Sequence, residues 1–521
     1  MRVAFRVDAG PLIGGGHAMR CLTLADALAK EGAETVFVTS GISEPIAERI
    51  AASGHPLVQI PPSADAQRSG PGWHEPVLEA PDQEADARAT GEAVGSADWM
   101  VVDHYLLDAC WHRAARDFAA RIAVIDDLAN RPCDCELLVD QNAGRAAGDY
   151  EPWVPAEARV LAGPHFALLR PEFVEERRAA LDRRRTSEPV RRILISMGTT
   201  DIGGKTATVV DQVLAAAPDF GLDVVIAEDA PSLDHVEELA RRNKRIAIHK
   251  DSRAMAGLMR DADLAVGAAG VTALERCCLG LPSITLVVAG NQLPGAQALE
   301  RSGASLTASV ETVGAALAEL TGDSDRRGRM SAAAFAITDG QGTSRVVDAI
   351  LGKSASWKGD LSLRPADSGD SERLWLWRND PVTRETAKNR DPIARSDHER
   401  WFTATVNDPD ITLYIAELAG EPAAMVRFDR QDDRAVVSIN VAPAMRGQGI
   451  GTSALRAACG DVEAKHPGLP LLAEVREGNA ASLRAFEAAG FRRSQADDPA
   501  FVAFVRRSSP GNRKAAARAR Q

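Results

Sequence analysis

The sequence predicts an α/β fold, with two parallel-sheet halves in succession and then a smaller α+β domain. Three observations carry this. Short apolar runs alternate with helix-length amphipathic stretches from residue 2 to about 350, and this pattern restarts near residue 191. Beyond residue 360 the composition changes to shorter, antiparallel-looking strands. Alternation of buried-type runs with helices specifies parallel sheets covered on both faces.

Taken in order, the candidate strands of the first half are 3–7, 35–39, 99–103 and 122–126. Those of the second half are 193–196, 223–227, 245–249, 264–267 and 283–288. Runs such as WMVVD and RIAVIDD are apolar throughout, as strands buried on both faces must be, and helices such as 18–31 and 254–260 bound them. A charged helical stretch, 172–185, followed by 186–189, separates the halves. The economical reading is two Rossmann-like domains, 1–170 and 186–352, joined by a hinge with a ligand cleft between them. The stretch 61–97, rich in Pro, Gly, Asp and Glu, reads as a loop with one short helix. A boundary at 352–360 (GKSASWKGD) opens a third domain, 360–507, with strands at 361–364, 411–418, 421–429, 435–441 and 471–475. The last 14 residues, 508–521, are basic and small and read as a disordered tail.

At 521 residues the chain exceeds one hydrophobic core, and 45% apolar with 26% charged residues is ordinary for soluble protein. A net charge of −12 argues against a nucleic-acid partner, although a local pocket can still hold phosphate through backbone amides. The opening MRVAFRVDAG has no apolar run long enough for a signal peptide or membrane span, so no membrane role and a cytoplasmic setting are expected. Seven cysteines without a CxxC pair predict reduced, mostly buried thiols and no metal site.

The first chemical constellation follows strand 3–7: Asp8, then a loop with Gly10 and Gly14-Gly15-Gly16, then His17 and Arg20 at a helix start. Glycines let backbone approach a ligand, and the helix N-terminus offers free amides at the carboxyl edge of the sheet. A histidine there can take a proton from water near neutral pH, with Asp8 orienting it and Arg20 facing a phosphate. Asp103-His104-Tyr105 and Asp126-Asp127 end two further strands of this half. Tyr105 suits a sugar, while Asp126 and Asp127 serve equally well as loop caps.

The second half carries Gly267-Ala-Ala-Gly270-Val-Thr272-Ala-Leu-Glu275 after strand 264–267, at the opening of a helix. Small residues and a threonine at a helix N-terminus suit a diphosphate, and Glu275, one turn inside, can accept both ribose hydroxyls. Asn291-Gln292 follow strand 283–288 beside it, and the turn from Ser196 through Asp201 begins this half.

Together these residues resemble one family. Arg6, Asp8, Gly14, Gly16, His17 and Arg20 form its first motif, followed by Asp103-His104-Tyr105, DDLANR (126–131), Gln141-Asn142 and LAGPHFALLR (161–170). The family is the UDP-2,4-diacetamido-2,4,6-trideoxy-β-L-altropyranose hydrolases of pseudaminic acid biosynthesis, and the resemblance covers nearly all of 1–350. It implies a GT-B-like pair of Rossmann-type domains, without metal, in which water replaces the acceptor sugar. In the roles the resemblance implies, His17 activates the water and Asp8 and Tyr105 shape the sugar pocket, with Arg6, Gly16 and Arg20 close by. Gly270, Thr272, Glu275, Asn291 and Gln292 then hold the nucleotide and sugar. The family has a double glycine where this chain has Gly198-Thr199.

The third constellation is Val441-Ala-Pro-Ala-Met-Arg446-Gly447-Gln448-Gly449-Ile450-Gly451, between strand 435–440 and a helix from 452 to about 463. Its consecutive backbone N–H groups form an anion nest fit for a pyrophosphate. Some 28 residues on comes Asn479-Ala-Ala-Ser482-Leu-Arg-Ala-Phe486-Glu-Ala-Ala-Gly490-Phe491. The pair of motifs resembles the GNAT N-acetyltransferases, which implies acetyl-CoA as co-substrate, Asn479 at its pantetheine arm and direct attack by an amine. Phe486 stands where that family has a tyrosine that protonates the departing thiolate, so Ser482 or water takes that role. Trp377-Arg378-Asn379 and His398-x-x-Trp401-Phe402 resemble the subgroup acting on nucleotide-linked 4-amino sugars. Trp375, Trp377 and Trp401 read either as core or as an aromatic acceptor surface.

The two resemblances imply consecutive steps: N-acetylation of a UDP-linked 4-amino sugar, then hydrolysis of the diacetamido product from UDP. The alternatives are a GT-B glycosyltransferase fused to an acetyltransferase, and a silent protein that only binds nucleotide sugar and acetyl-CoA. Sugar stereochemistry and oligomeric state stay open at this level.

Overall fold

The computed structural model describes residues 1–10, 15–61, 82–184, 189–198, 201–216, 219–252, 254–353, 361–418, 420–446, 449–496 and 498–507. The chain divides into two compact units, Met1–Ser354 and Ala355–Gln521.

The first unit holds two fully parallel sheets. In the first, strands β1 (Arg2–Val7), β2 (Glu34–Thr39), β3 (Leu57–Gln59), β4 (Trp99–Asp103), β5 (Ile122–Ile125), β6 (Leu137–Asp140) and β7 (Arg159–Ala162) lie in the order β3-β2-β1-β4-β5-β6-β7. β1 pairs in parallel with both β2 and β4. Every residue of β4 is buried, the both-faces burial its unbroken apolar run predicts. Two cores cover the faces, one around Phe5, Leu24 and Phe37, the other around Met100, Trp111 and Tyr150.

The second sheet comprises β8 (Arg192–Ser196), β9 (Gly221–Ile226), β10 (Ile246–Lys250), β11 (Leu264–Ala268), β12 (Ser283–Leu286) and β13 (Leu306–Ala308), ordered β10-β9-β8-β11-β12-β13. The strand order reverses between β1 and β4 in one sheet and between β8 and β11 in the other, and at such points open α/β sheets gather their ligands. The two halves form the expected GT-B-like pair.

The chain crosses between the lobes twice. The expected charged helix is Pro171–Arg184, and its Phe173 and Ala180 sit in the second lobe's core with Leu194, Met259 and Leu274. Arg177 of this helix donates to the carbonyls of Cys278, Thr338 and Phe335. The last helix of the unit, Gly342–Ile350, returns, and its Val346, Val347 and Ile350 join the first lobe's core. Gly342 is needed where the two crossings meet, because a Cβ there would stand 2.4 Å from the backbone of Ala167. From the stretch 61–97, the helix Gln83–Val94 is described, while 62–81 lie outside the described residues.

The second unit is a mixed sheet, β14 (Leu361–Pro365), β15 (Ile411–Leu418), β16 (Glu421–Arg430), β17 (Ala435–Val441), β18 (Leu471–Arg476), β19 (Arg492–Ser494) and β20 (Phe501–Arg506), ordered β14-β15-β16-β17-β18-β20-β19. All neighbours are antiparallel except β17 and β18, which run parallel and pair at only two positions, Ala435 with Leu471 and Val436 with Leu472. Beyond these they splay apart. The tail 508–521 lies outside the described residues.

Strands β3, β6, β7, β13, β19 and β20 are absent from the sequence-based expectation. Most are three- or four-residue strands at or near a sheet edge, too short to establish a period against their flanks. Among the described residues no helix is long and apolar enough to cross a membrane. Six of the seven cysteines are buried, Cys110 is exposed, and all are free.

Candidate functional site

The expected histidine sits in the first lobe where the strand order reverses. His17 is the second residue of the helix Gly16–Lys30 and is 8% exposed. Its Nδ1 lies 2.5 Å from Asp103 Oδ1 at the end of β4. Arg20, one turn further along the helix, grips Asp103 with Nε on Oδ2 at 2.7 Å and Nη2 on Oδ1 at 2.7 Å. Burial pushes the Asp103 carboxyl up, but Arg20 and His17 outweigh it and hold it well below the usual carboxylate range. A charged Asp103 fixes the ring with its proton on Nδ1, leaving Nε2 as the basic nitrogen.

Arg20 is spent on carboxylates. Its Nη1 also donates to both oxygens of Asp127, at 2.8 and 2.9 Å. The expectation that Arg20 faces a phosphate is therefore corrected, because a guanidinium 4% exposed must be paired where it is, and two carboxylates saturate it. Asp127 in turn accepts from Tyr105 Oη at 2.7 Å and Asn142 Nδ2 at 2.9 Å. Tyr105 packs edge-on against the His17 ring, centroids 4.6 Å apart. Its hydroxyl also accepts from Asn291 Nδ2 at 3.2 Å, so the second lobe reaches the first at the histidine's side. The carboxyl ends of the two sheets face one crevice.

Asp8 does not orient His17. It is engaged by Arg6 (Nη1 to Oδ1, 2.5 Å), by Thr39 and Ser40, and by His104 Nε2 at 3.3 Å. Arg6, two residues earlier on the same face of the strand, reaches Asp8 first, and Asp86 takes the rest of its guanidinium. Arg6 is 1% exposed and thus structural rather than substrate-binding. Burial raises the Asp8 carboxyl, and Arg6 with His104 pulls it well below its ordinary value. The Leu106 N–H donates to His104 Nδ1, which leaves the His104 proton on Nε2 toward Asp8 and no basic nitrogen there.

Asp126 and Asp127 divide. Asp126 caps its own turn, accepting from the Leu128 and Ala129 N–H groups, Arg131 and Tyr150. Asp127 belongs to the histidine cluster. Gly16 starts the helix with open space around it, and Gly14 lies outside the described residues.

In the second lobe Gly270 is the N-cap of the helix Val271–Cys278, with Thr272 in its first turn. Gln292 lies over Gly270, its Nε2 3.9 Å from where a Cβ would stand, and its Oε1 accepts from the Val288 N–H at 3.2 Å. Glu275 is 7% exposed, with Arg170 Nη2 at 3.3 Å from Oε1. Burial raises the Glu275 carboxyl and Arg170 opposes it, with a net rise. Asn291 Oδ1 is buried with no partner among the described residues. The turn after β8 needs glycine at Gly198, where φ is +103°, while Thr199 and Thr200 lie outside the described residues.

Sequence reasoning placed Asp103 at a strand end but missed that it, rather than Asp8, holds His17. It also missed Arg170 as the partner of Glu275. These pairs span 86 and 105 residues, and no local pattern reports such a distance.

In the second unit, the parting of β17 from β18 opens a slot beside the Arg/Gly turn. Gly449, at φ +77°, caps the helix Ile450–Lys465. Ile450 is buried, and Gly451 packs against Val441, where a Cβ would meet Cγ2 at 3.3 Å. Gly447 and Gln448 lie outside the described residues. The Arg446 guanidinium turns to Asp380 at 2.7 Å and Thr383 at 2.6 Å, so it is held by its own domain rather than left open.

Asn479 caps the helix Ala480–Ala488, accepting from the Ser482 N–H at 3.0 Å. Phe486 is 3% exposed, edge-on to Phe491 at 5.0 Å and stacked on Phe504 at 5.7 Å. It is a core residue, and the expectation that it stands at the cofactor's departing thiolate is corrected: three rings packed together leave it no open face. Trp377 is likewise core, whereas Trp401 carries Arg427 over its ring at 5.4 Å. Among the described residues no group of three or more His, Cys, Asp or Glu could hold a metal.

Residues 360–492 match the acetyltransferase (GNAT) domain family. The chain is 23% identical over 294 residues to the protein MJ1062 of Methanocaldococcus jannaschii, covering 55% of each. It is 23% identical over 265 residues to the UDP-2,4-diacetamido-2,4,6-trideoxy-β-L-altropyranose hydrolase of Campylobacter jejuni, covering 50% of this chain and 83% of that one. The chain spans about half the length of the first of these relatives. Among solved structures, MurG of Acinetobacter baumannii aligns with TM-score 0.47 and 15% identity over 67% of this chain and 99% of that one. The chain is thus homologous over half its length to a UDP-diacetamido-sugar hydrolase and carries, at residues 360–492, an acetyltransferase domain of the GNAT family.

Proposed function

We propose that this nucleotide-sugar enzyme is bifunctional. The GNAT domain acetylates the 4-amino group of a UDP-4-amino-4,6-dideoxy sugar with acetyl-CoA. The two-lobed unit then hydrolyses UDP-2,4-diacetamido-2,4,6-trideoxy-β-L-altropyranose to UDP and the free sugar. The observation that carries the hydrolase reading is the His17–Asp103 pair, clamped by Arg20 and standing beside Tyr105 at the crevice.

In the hydrolytic step a water oxygen attacks the anomeric carbon from the side opposite the phosphate. His17 Nε2 takes the water's proton, Asp103 stabilises the imidazolium, and the carbon–oxygen bond to phosphate breaks with its electron pair leaving on UDP. The configuration inverts. Glu275, Thr272 and the amides at Gly270 hold the nucleotide, and Tyr105 with Asn291 borders the sugar. In the acetyl transfer, acetyl-CoA supplies the acyl group. The chain's splayed strands and Arg/Gly turn bind and orient it, while Ser482 or water delivers the proton to the departing thiolate, since Phe486 has none to give.

The test is incubation of the purified protein with the UDP-linked amino sugar and acetyl-CoA, and separately with the diacetamido product, following acetylation and UDP release by NMR. His17→Ala should lower UDP release about 10²–10⁴-fold while acetyl transfer is unchanged. No UDP release in water without an acceptor sugar overturns the hydrolase reading.

A further inference from the structure

We propose that Arg276 is the built-in counter-charge of the second lobe's anion site, a positioning residue that makes the crevice prefer a nucleoside diphosphate over the bare nucleoside. The inference rests on the reading above that this lobe holds UDP, and it assigns a role to a residue outside the site described so far.

Arg276 follows Glu275 on the helix Val271–Cys278 and is 1% exposed. Its side chain runs back toward the helix N-terminus, the direction helical side chains take. The guanidinium ends at the point where the sheet order reverses, between β8 and β11. Nη2 donates to the Ala268 carbonyl at 3.0 Å, with Thr285 Oγ1 at 3.4 Å. Nη1 lies beside Gly267, so close that a Cβ there would stand 2.6 Å from it and 2.6 Å from the Ser196 carbonyl. Gly267 is therefore required, and the space its missing side chain leaves is occupied by positive charge.

Nε and Nη1 have no hydrogen-bond partner among the described residues. Burial pulls the group down to about 10, so it stays a cation at neutral pH. The charged groups acting on it are Cys277 and Glu275 of its own helix, while Ala268, Ser196 and Thr285 from the sheet are uncharged. Burial lifts the Cys277 thiol to about 12, which leaves it neutral, and Glu275 is taken by Arg170. A buried cation without an anion is costly, and other buried arginines in the chain are compensated: Arg6 and Arg20 by two carboxylates each, Arg177 by three carbonyls. At Arg276 the missing anion is the one the neighbouring helix N-terminus at Gly270–Thr272 is arranged to receive. Arg276 acts through its field from beneath the loop; the backbone amides make the contacts.

Two variants of the full chain test this by calorimetric titration with UDP and with uridine. Arg276→Gln should lower the UDP-to-uridine affinity ratio about tenfold or more, with uridine affinity itself nearly unchanged. Arg276→Lys places a buried amine that sheds its proton when unpaired and regains it when the diphosphate arrives. In that variant the ratio should fall as pH rises from about 7.5 to 9.5, a range in which the terminal phosphate keeps a single charge state, with proton uptake on UDP binding, while the wild type is flat. A ratio unmoved in Arg276→Gln, or a pH-independent ratio in Arg276→Lys, overturns the inference and leaves the UDP reading standing, so either variant suffices if the other does not fold. A wild type with no preference for UDP over uridine overturns both.

Discussion

The two lobes of the first unit face one crevice with opposite electrostatic economies. In the first lobe the charged groups around His17 are already paired among the described residues: His17 to Asp103, Arg20 to Asp103 and Asp127, Asp8 to Arg6 and His104. In the second lobe the polar groups are under-paired: Asn291 Oδ1 and two nitrogens of Arg276 have no partner among the described residues. A saturated network holds a base in one tautomer and position, as bond-making chemistry requires. An unsaturated one favours whatever ligand completes it. On the proposed function, the difference separates a lobe that acts from a lobe that binds.

The strongest way to break this contrast is Asp103→Asn. Arg20 needs acceptors on that side chain, so the new amide N–H₂ turns to His17 Nδ1 and drives the ring proton to Nε2. UDP release should fall about 10²–10⁴-fold with UDP affinity unchanged, and the fold should lose about 3–5 kcal/mol through the half-unpaired Arg20, read by denaturant titration. Unaltered turnover would show that the saturated lobe does not set the chemistry.

A smaller effect sharpens the binding side. Burial raises the Glu275 carboxyl, so its ionised, accepting form is present above that raised value and lost as pH falls through it. Nucleotide affinity should therefore weaken on acidification at a higher pH than an ordinary glutamate would give. Glu275→Gln should lower UDP and uridine affinity alike, about 10–100-fold at neutral pH, and remove the acid dependence; titrations across pH measure both. The first lobe should contrast, because Asp103 is held down and stays charged over the same range.

The smallest expected effect lies at the seam. Tyr105→Phe deletes the hydroxyl between Asp127 and Asn291. It should cost about 0.5–1.5 kcal/mol in thermal unfolding, and a loss well above that would mean the lobes are coupled more tightly than one hydrogen bond implies.

Much of this was legible beforehand where the signal is local. β1 and β4 follow from unbroken apolar runs, and His17 from a glycine loop after a strand. The helix starts at Gly270 and Gly449 follow from small residues at strand-to-helix turns. β20 was missed although FVAFVR is a plausible strand, and the three-residue β3, β13 and β19 offered no period to read.

By itself, then, the sequence determined the succession of elements and the residue types at each strand end, because burial pattern and turn chemistry act over a few residues. Which acid meets which base was decided only by tertiary structure. Asp8 is nine residues from His17 and Asp103 is 86, yet the parallel pairing of β1 with β4 brings Asp103 under the ring, while Arg6 claims Asp8. The same holds for Phe486, whose position in a motif pointed to a cofactor and whose packing on Phe491 and Phe504 makes it core. Charge pairing and ring packing are settled by distance in space, and separation along the chain carries no record of it.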